Sequence, residues 1–110
     1  MKSCCYDIVM IVPFMKRQIV NNLLHSLLEN NKRHLILLIL VDMSLEQEEM
    51  LQTSNLLTVE RIFLNKKLSS SQSRNKGIEF LLSHNVSFRY LMFPDDDTTF
   101  DASFFDLYDR

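Results

Sequence analysis

Hydrophobic residues occur along the chain in two alternating patterns, short continuous runs and longer stretches with helical spacing. Residues 8–12 form an apolar, β-branched run closed by a proline, and residues 35–41 form a second run that ends at an aspartate. Continuous apolar runs of this length predict strands that are buried on both faces. Residues 58–64 mix β-branched and aromatic side chains with two charges, which predicts a less buried or edge strand. Residues 88–93 are predicted to form a fourth strand.

Helical patterns separate these runs. Residues 19–28 carry apolar side chains at i, i+1, i+4, i+5, i+8 and i+9, which predicts an amphipathic helix. Ser44 and Gln47 have the spacing of a capping box, so a second helix is predicted to start there and to run toward Asn55. One of three consecutive serines, residues 69–71, is expected to cap a third helix. A short amphipathic tail follows, with apolar residues at Phe100, Phe104, Phe105 and Leu107.

The predicted order of elements is βαβαβαβ followed by the tail. Strands that alternate with helices imply a parallel sheet with right-handed crossovers and helices on both faces. The predicted fold class is therefore α/β, a three-layer αβα arrangement with a Rossmann-like parallel sheet. A chain of 110 residues has room for one hydrophobic core, so residues 1–110 are expected to form a single domain.

Composition excludes several kinds of site. The chain has one glycine, Gly77, whereas a GxGxxG motif, a Walker A loop and a GxSxG elbow each need at least two. Its two cysteines and three isolated histidines cannot form a four-cysteine zinc site or an HExxH zinc helix. The adjacent Cys4 and Cys5 are poorly placed to bridge each other, so a reduced, cytoplasmic protein is expected. No apolar run reaches the about 20 residues that span a bilayer, so no membrane span is expected.

Acidic residues are concentrated near the carboxyl end. The net charge is −2, and residues 95–110 hold six acidic residues against one basic residue. This acidic balance gives no support for a nucleic-acid partner.

Aspartates also follow two of the predicted strands, Asp42 after the second and residues 95–97 after the fourth. Ligands of open parallel sheets bind beyond the carboxyl ends of the strands, where these side chains are expected to converge. Carboxylates held together repel one another unless a cation neutralises them, which predicts a Mg²⁺ or Mn²⁺ site. The alternative is a solvated turn in which Asp97 or Thr98 caps the next helix.

Four sequence blocks together resemble a known enzyme family. They are residues 8–14, which end in Pro-Phe; residues 41–44, Val-Asp-Met-Ser; residues 73–77, Ser-Arg-Asn-Lys-Gly; and residues 91–97, which end in Pro-Asp-Asp-Asp. In order and spacing they look like the nucleotide-binding half of a family 2 glycosyltransferase of the GT-A fold. The resemblance covers residues 6–108. It implies a metal-dependent site for a nucleoside diphospho-sugar, with a UDP-sugar expected, and a role in polysaccharide or glycoconjugate synthesis.

The resemblance also implies individual roles. Asp42 would face the base or ribose, Arg74 would lie near the nucleotide, and Gly77 would allow its helix to pack closely. The chain departs from the family where Met43 and Ser44 replace an acid and a glycine, and where serines precede Arg74. The implied nucleotide-binding residues are Pro13, Phe14, Asp42, Arg74, Asp95 and Asp96, and the implied metal ligands are Asp95 and Asp97, with Asp97 the direct ligand.

Two further expectations concern the whole chain. The acceptor-binding half and the catalytic carboxylate of such enzymes would follow the aspartates, but this sequence stops at Arg110. The chain is therefore expected to be an incomplete, split or inactive form that does not transfer sugar alone, and that self-associates or takes a partner supplying the acceptor half. The alternative function is a small, non-enzymatic, Mg²⁺-binding module similar to a receiver domain. Receivers gather acids at the end of strand one, where this chain has Pro13 and Phe14.

Overall fold

The chain folds around a four-stranded, all-parallel sheet with helices on both faces, as predicted. A computed structural model describes residues 5–44, 54–64 and 66–106. The predicted helix that begins near Ser44 falls mostly on residues 45–53 and so lies outside the described residues. The elements in chain order are β1 (Cys5–Phe14), α1 (Arg17–Asn30), β2 (Ile36–Asp42), β3 (Leu57–Phe63), α2 (Ser70–Ser83), β4 (Ser87–Met92) and α3 (Ala102–Asp106).

The strand order is β3-β2-β1-β4. Ile8 of β1 pairs with Ile36 of β2 on one side and with Tyr90 of β4 on the other. The chain thus adds β2 and β3 in one direction and then returns to place β4 against the opposite side of β1. The order reverses between β1 and β4, and this reversal defines where a crevice opens at the carboxyl edge of the sheet.

The hydrophobic core lies on both faces of the two central strands. Ile8 and Met10 of β1 belong to a buried cluster with apolar residues of α1, whereas Val9 and Ile11 belong to a second cluster with Leu81 of α2. Every residue of β2 is buried, so the prediction of strands covered on both faces is correct for the centre of the sheet. None of the helices in the described ranges has the length and apolar character that crossing a membrane requires.

The edge strands are less covered. β3 alternates buried, half-buried and exposed residues, which confirms the predicted partial burial. β4 is an edge strand whose residues are exposed or half-buried, and it includes the polar residues Ser87 and Arg89. Four large apolar side chains in and just after β4 are between 36% and 41% exposed: Phe88, Tyr90, Leu91 and Phe93.

Helix α2 has well-defined ends. Among the three candidate serines, Ser69 is the cap: its hydroxyl accepts from the Gln72 backbone N–H at 3.2 Å, and the Gln72 side chain accepts from the Ser69 N–H at 3.0 Å. At the other end, the Val86 N–H donates to the Leu81 carbonyl, while Asn85 adopts a left-handed φ of 53°. These features form a Schellman motif.

Gly77 lies where α2 packs on β1. A Cβ atom at this position would lie 2.5 Å from Cγ2 of Ile11 and 2.9 Å from its Cδ1. Real Cβ atoms do not approach so closely, so only glycine allows the helix to sit at this distance from the sheet.

The amphipathic tail covers the α1 face of the sheet. Phe100 and Phe105 are 5% and 3% exposed and belong to the same cluster as the apolar residues of α1. The Phe100 N–H donates to the Ser26 hydroxyl at 2.9 Å, and the Asn30 side chain donates to the Phe100 carbonyl at 2.8 Å. The described part of the tail is thus attached to α1; Leu107 lies outside the described residues.

Candidate functional site

An open pocket of about 230 Å³ lies at the carboxyl edge of the sheet, where the strand order reverses. The ends of β1 and β4, the turn after β2 and the first turns of α2 form its walls. Five of the six residues that the sequence predicted for nucleotide binding line it: Pro13, Phe14, Arg74, Asp95 and Asp96.

Arg74 brings a cation to the pocket from the second turn of α2. Its Nη2 atom lies 3.7 Å from Oδ1 of Asp95, and its guanidinium carbon lies 5.9 Å from the ring centre of Phe93. Its Nε atom is buried and has no hydrogen-bond partner among the described residues. The Arg74 side chain as a whole is 33% exposed and lines the pocket, so it can bind an anionic group there.

The three aspartates form a tight turn at the mouth of the pocket. The Thr98 N–H donates to the Asp95 carbonyl at 3.0 Å, which closes the turn. Asp95 and Asp97 are exposed, and Asp96 is half-buried. Partial burial, followed by the neighbouring charges of Asp97 and Asp95, raises the pKa of Asp96 above its ordinary value. The turn therefore holds three neighbouring carboxyl groups, of which Asp95 has Arg74 as a charge partner.

The predicted metal ligands differ in position. Asp95 lines the pocket, whereas Asp97 lies outside its lining residues. Within the part of the chain that the structure describes, no group of three or more His, Cys, Asp or Glu side chains is placed to hold a metal ion. A cation at this turn would need further ligands from water or from a bound molecule.

The cap of the following helix is Asp101, not Asp97 or Thr98. The Asp101 Oδ1 atom accepts from the Ser103 hydroxyl at 2.7 Å and from the Phe104 N–H at 3.1 Å. These two hydrogen bonds lower the pKa of Asp101. The aspartate turn is therefore not needed to start α3.

Asp42 does not line the pocket. Its side chain is fully buried, and its Oδ2 atom lies 2.7 Å from Nε of Arg61 on β3. Arg61 is in register with Leu40, so it shares a sheet face with Leu40 and, two residues on, with Asp42. The charge of Asp42 is thus compensated by Arg61, and the argument that it needs a metal no longer applies.

The residue that β2 contributes to the pocket is the next one, Met43. Its sulfur atom accepts from the Leu68 N–H at 3.3 Å and from the Ser73 hydroxyl at 3.2 Å. Sequence reasoning missed both Met43 and Arg61. The available signal was Arg61, a charged residue of β3 that lies between apolar side chains one and two positions later and a buried valine two positions earlier, since a charge that is partly buried usually has a partner.

Comparison with known proteins adds no assignment. No protein-family model, curated protein or solved structure shows a significant match to this chain. The resemblance to family 2 glycosyltransferases therefore rests on the four sequence blocks.

Proposed function

We propose that the chain binds a nucleoside diphospho-sugar through a divalent cation, as the donor-binding half of a family 2 glycosyltransferase. The observation that supports this proposal is the grouping of Pro13, Phe14, Arg74, Asp95 and Asp96 around one pocket. These residues come from three separate segments of the chain. The pocket also occupies the switch point of a parallel sheet, the usual ligand position in such folds.

The lining residues suit the parts of such a ligand. Met15, which is exposed, and Leu68, which is half-buried, offer apolar surface to a nucleoside, and Arg74 offers a cation to its diphosphate. The nearby aspartates would repel the bare diphosphate, so a cation must lie between them. Mg²⁺ is commonly held by one or two carboxylates together with water and substrate phosphates, which suits the small ligand set of Asp95 and Asp97. When bound, the metal would act as a Lewis acid on the departing diphosphate.

The receiver-like alternative has less support. In a receiver-like sheet the third strand lies beside the first, whereas β3 here pairs with β2. β1 also ends in Pro13 and Phe14 and presents no acid at its carboxyl end.

Isothermal titration calorimetry with UDP tests the proposal. We expect binding in the presence of Mn²⁺ and its loss in EDTA, because the cation is needed to bridge the aspartates and the diphosphate. Asp97→Ala is expected to weaken metal-dependent binding by at least about tenfold. The matched control is Asp101→Asn, which removes a nearby charge but keeps a capping side chain. Equal binding with and without EDTA, or equal loss in both variants, would contradict the proposal.

A further inference from the structure

We infer that Arg61 is a positioning residue for the nucleotide pocket. Arg61 holds Asp42 in place inside the protein, and Asp42 in turn supports the pocket wall. Asp42 therefore does not contact the nucleotide itself. This inference rests on the proposed function, because it concerns how the same pocket is built. It also replaces the role that the sequence resemblance implies for Asp42.

Asp42 and Arg61 form an ion pair inside the protein. The side chain of Asp42 has no exposed surface, and that of Arg61 is 14% exposed. A carboxylate in such a place is unfavourable unless a charge partner accompanies it. Arg61 provides this partner at 2.7 Å and also lies over the ring of Phe63, 5.0 Å from its centre. Arg61 is thereby fixed between Asp42 and an aromatic ring.

Asp42 also forms the turn that follows β2. The other carboxylate oxygen of Asp42, Oδ1, accepts from the Ser44 N–H at 2.9 Å and from the Ser44 hydroxyl at 2.6 Å. This Asx turn fixes the backbone on both sides of Met43. The Met43 N–H in turn donates to the Phe14 carbonyl at 2.9 Å. Oδ1 of Asp42 is therefore hydrogen-bonded inside the protein, while Oδ2 lies in ion-pair contact with Arg61 and has no hydrogen-bond partner among the described residues.

Met43 connects this turn to the pocket. Met43 is fixed at its backbone by the turn and at its sulfur by Leu68 and Ser73. Met43, Phe14 and Leu68 all line the pocket. A change at Arg61 or Asp42 would thus move this wall as a unit.

This arrangement predicts how variants respond to different nucleotides. A residue that hydrogen-bonds a base discriminates strongly between ligands that offer and lack the matching group. A residue that only supports an apolar wall affects all bases alike. Asp42 is expected to belong to the second kind.

The test measures Mn²⁺-dependent affinities of UDP, GDP and ADP for the wild-type chain, Asp42→Asn, Arg61→Gln and the double variant. Each single change is expected to weaken the three nucleotides by one common factor, roughly three- to tenfold. The double variant is expected to bind no more weakly than either single variant, because the two residues act as one unit. Glu60→Gln, at an exposed neighbour on β3, is the matched control and is expected to bind like the wild type.

A base-dependent loss in Asp42→Asn, or additive losses in the double variant, would overturn the inference. Thermal melts accompany each variant, since a single change leaves one charge buried without its partner. Should the single variants not fold, Ser44→Ala keeps both charges and removes one hydrogen bond to Asp42. We expect it to weaken all three nucleotides equally, and a base-selective loss would again overturn the inference. If the wild-type chain binds none of the three nucleotides, the proposed function itself fails, which is a distinct result.

Discussion

Asp96 is the residue of the aspartate turn whose ionisation the fold disfavours. Its pKa is raised by partial burial and by the charges of Asp97 and Asp95. A carboxyl group with a higher pKa in the folded state destabilises the protein at neutral pH, and this cost disappears as the pH falls through that pKa. Asp96→Asn is therefore expected to stabilise the protein at pH 7 by a few tenths of a kcal/mol. Thermal melts should show this advantage shrinking as the pH approaches about 4.

Asp101 provides a control of opposite sign. Its pKa is lowered by the Ser103 hydroxyl and then by the Phe104 N–H, so its charged form stabilises the fold above the ordinary aspartate pKa. Asp101→Asn should accordingly lower the melting temperature at pH 7 and lose this effect in acid. A gain for Asp96→Asn that did not change with pH would show that the ionisation of the partly buried Asp96 carboxyl group is not its cause.

Gly77 is required by the distance between α2 and the sheet. In an exposed helix, glycine to alanine stabilises by about 1 kcal/mol. Here the added methyl group would lie 2.5 Å from Ile11, a buried β-branched residue with little freedom to move. We expect Gly77→Ala to destabilise the protein by about 1–3 kcal/mol in urea denaturation. In an Ile11→Ala background the same change should be neutral or favourable, and an equal cost in both backgrounds would exclude the steric explanation.

At the scale of the element, the carboxyl end of α2 depends on one left-handed residue. Asn85 has φ 53°, which allows the N–H of its neighbour Val86 to donate to the Leu81 carbonyl and so to end the helix. Left-handed backbone costs residues with a Cβ atom about 1–2 kcal/mol, least for asparagine and aspartate. Asn85→Ala is expected to lower the free energy of unfolding by about 1 kcal/mol. Asn85→Gly should be no less stable than the wild type, and equal losses in both variants would mean that the backbone angle is not the cause.

At the scale of the whole molecule, β4 forms one edge of the sheet within the described residues and carries exposed apolar side chains. Tyr90 and Leu91 are in register with Ile8 and Val9, so they lie on opposite faces of the sheet, and both are exposed. An edge strand of this kind is a template for pairing with another chain. We expect the protein to self-associate as its concentration rises, measured by size-exclusion chromatography with light scattering.

A charge at this edge should weaken the association. Leu91→Lys is expected to shift the protein toward the monomer, because lysine on an edge strand opposes pairing. Leu82→Lys is the matched control, since Leu82 is 73% exposed but lies on helix α2 rather than on an edge strand. A monomer at every concentration, or an equal effect of both variants, would contradict this prediction.

The sequence by itself determined the four strands, the helices α1 and α2 and the order in which they follow one another; the helix predicted from Ser44 lies outside the described residues. The runs over residues 8–12 and 35–41 are apolar at consecutive positions and short for a helix, which favours strands covered on both faces, and both became central strands. The serines before α2 limited its start to three positions. Strand ends also identified most of the pocket, because in a parallel sheet all carboxyl ends meet at one edge, and this placed Pro13 and Asp95 at the same pocket.

Only the tertiary structure decided the details that depend on neighbouring strands. β4 lies at an edge beside β1, a position that no local pattern predicts, because strand order depends on contacts between distant segments rather than on local composition. The same holds for Asp42. Alternation along β2 and the register with β3 bring it to Arg61, and Met43 reaches the pocket in its place. Neighbouring residues of a strand lie on opposite faces of the sheet, so Asp42 and Met43 have different surroundings. No local sequence pattern specifies which of the two faces the pocket.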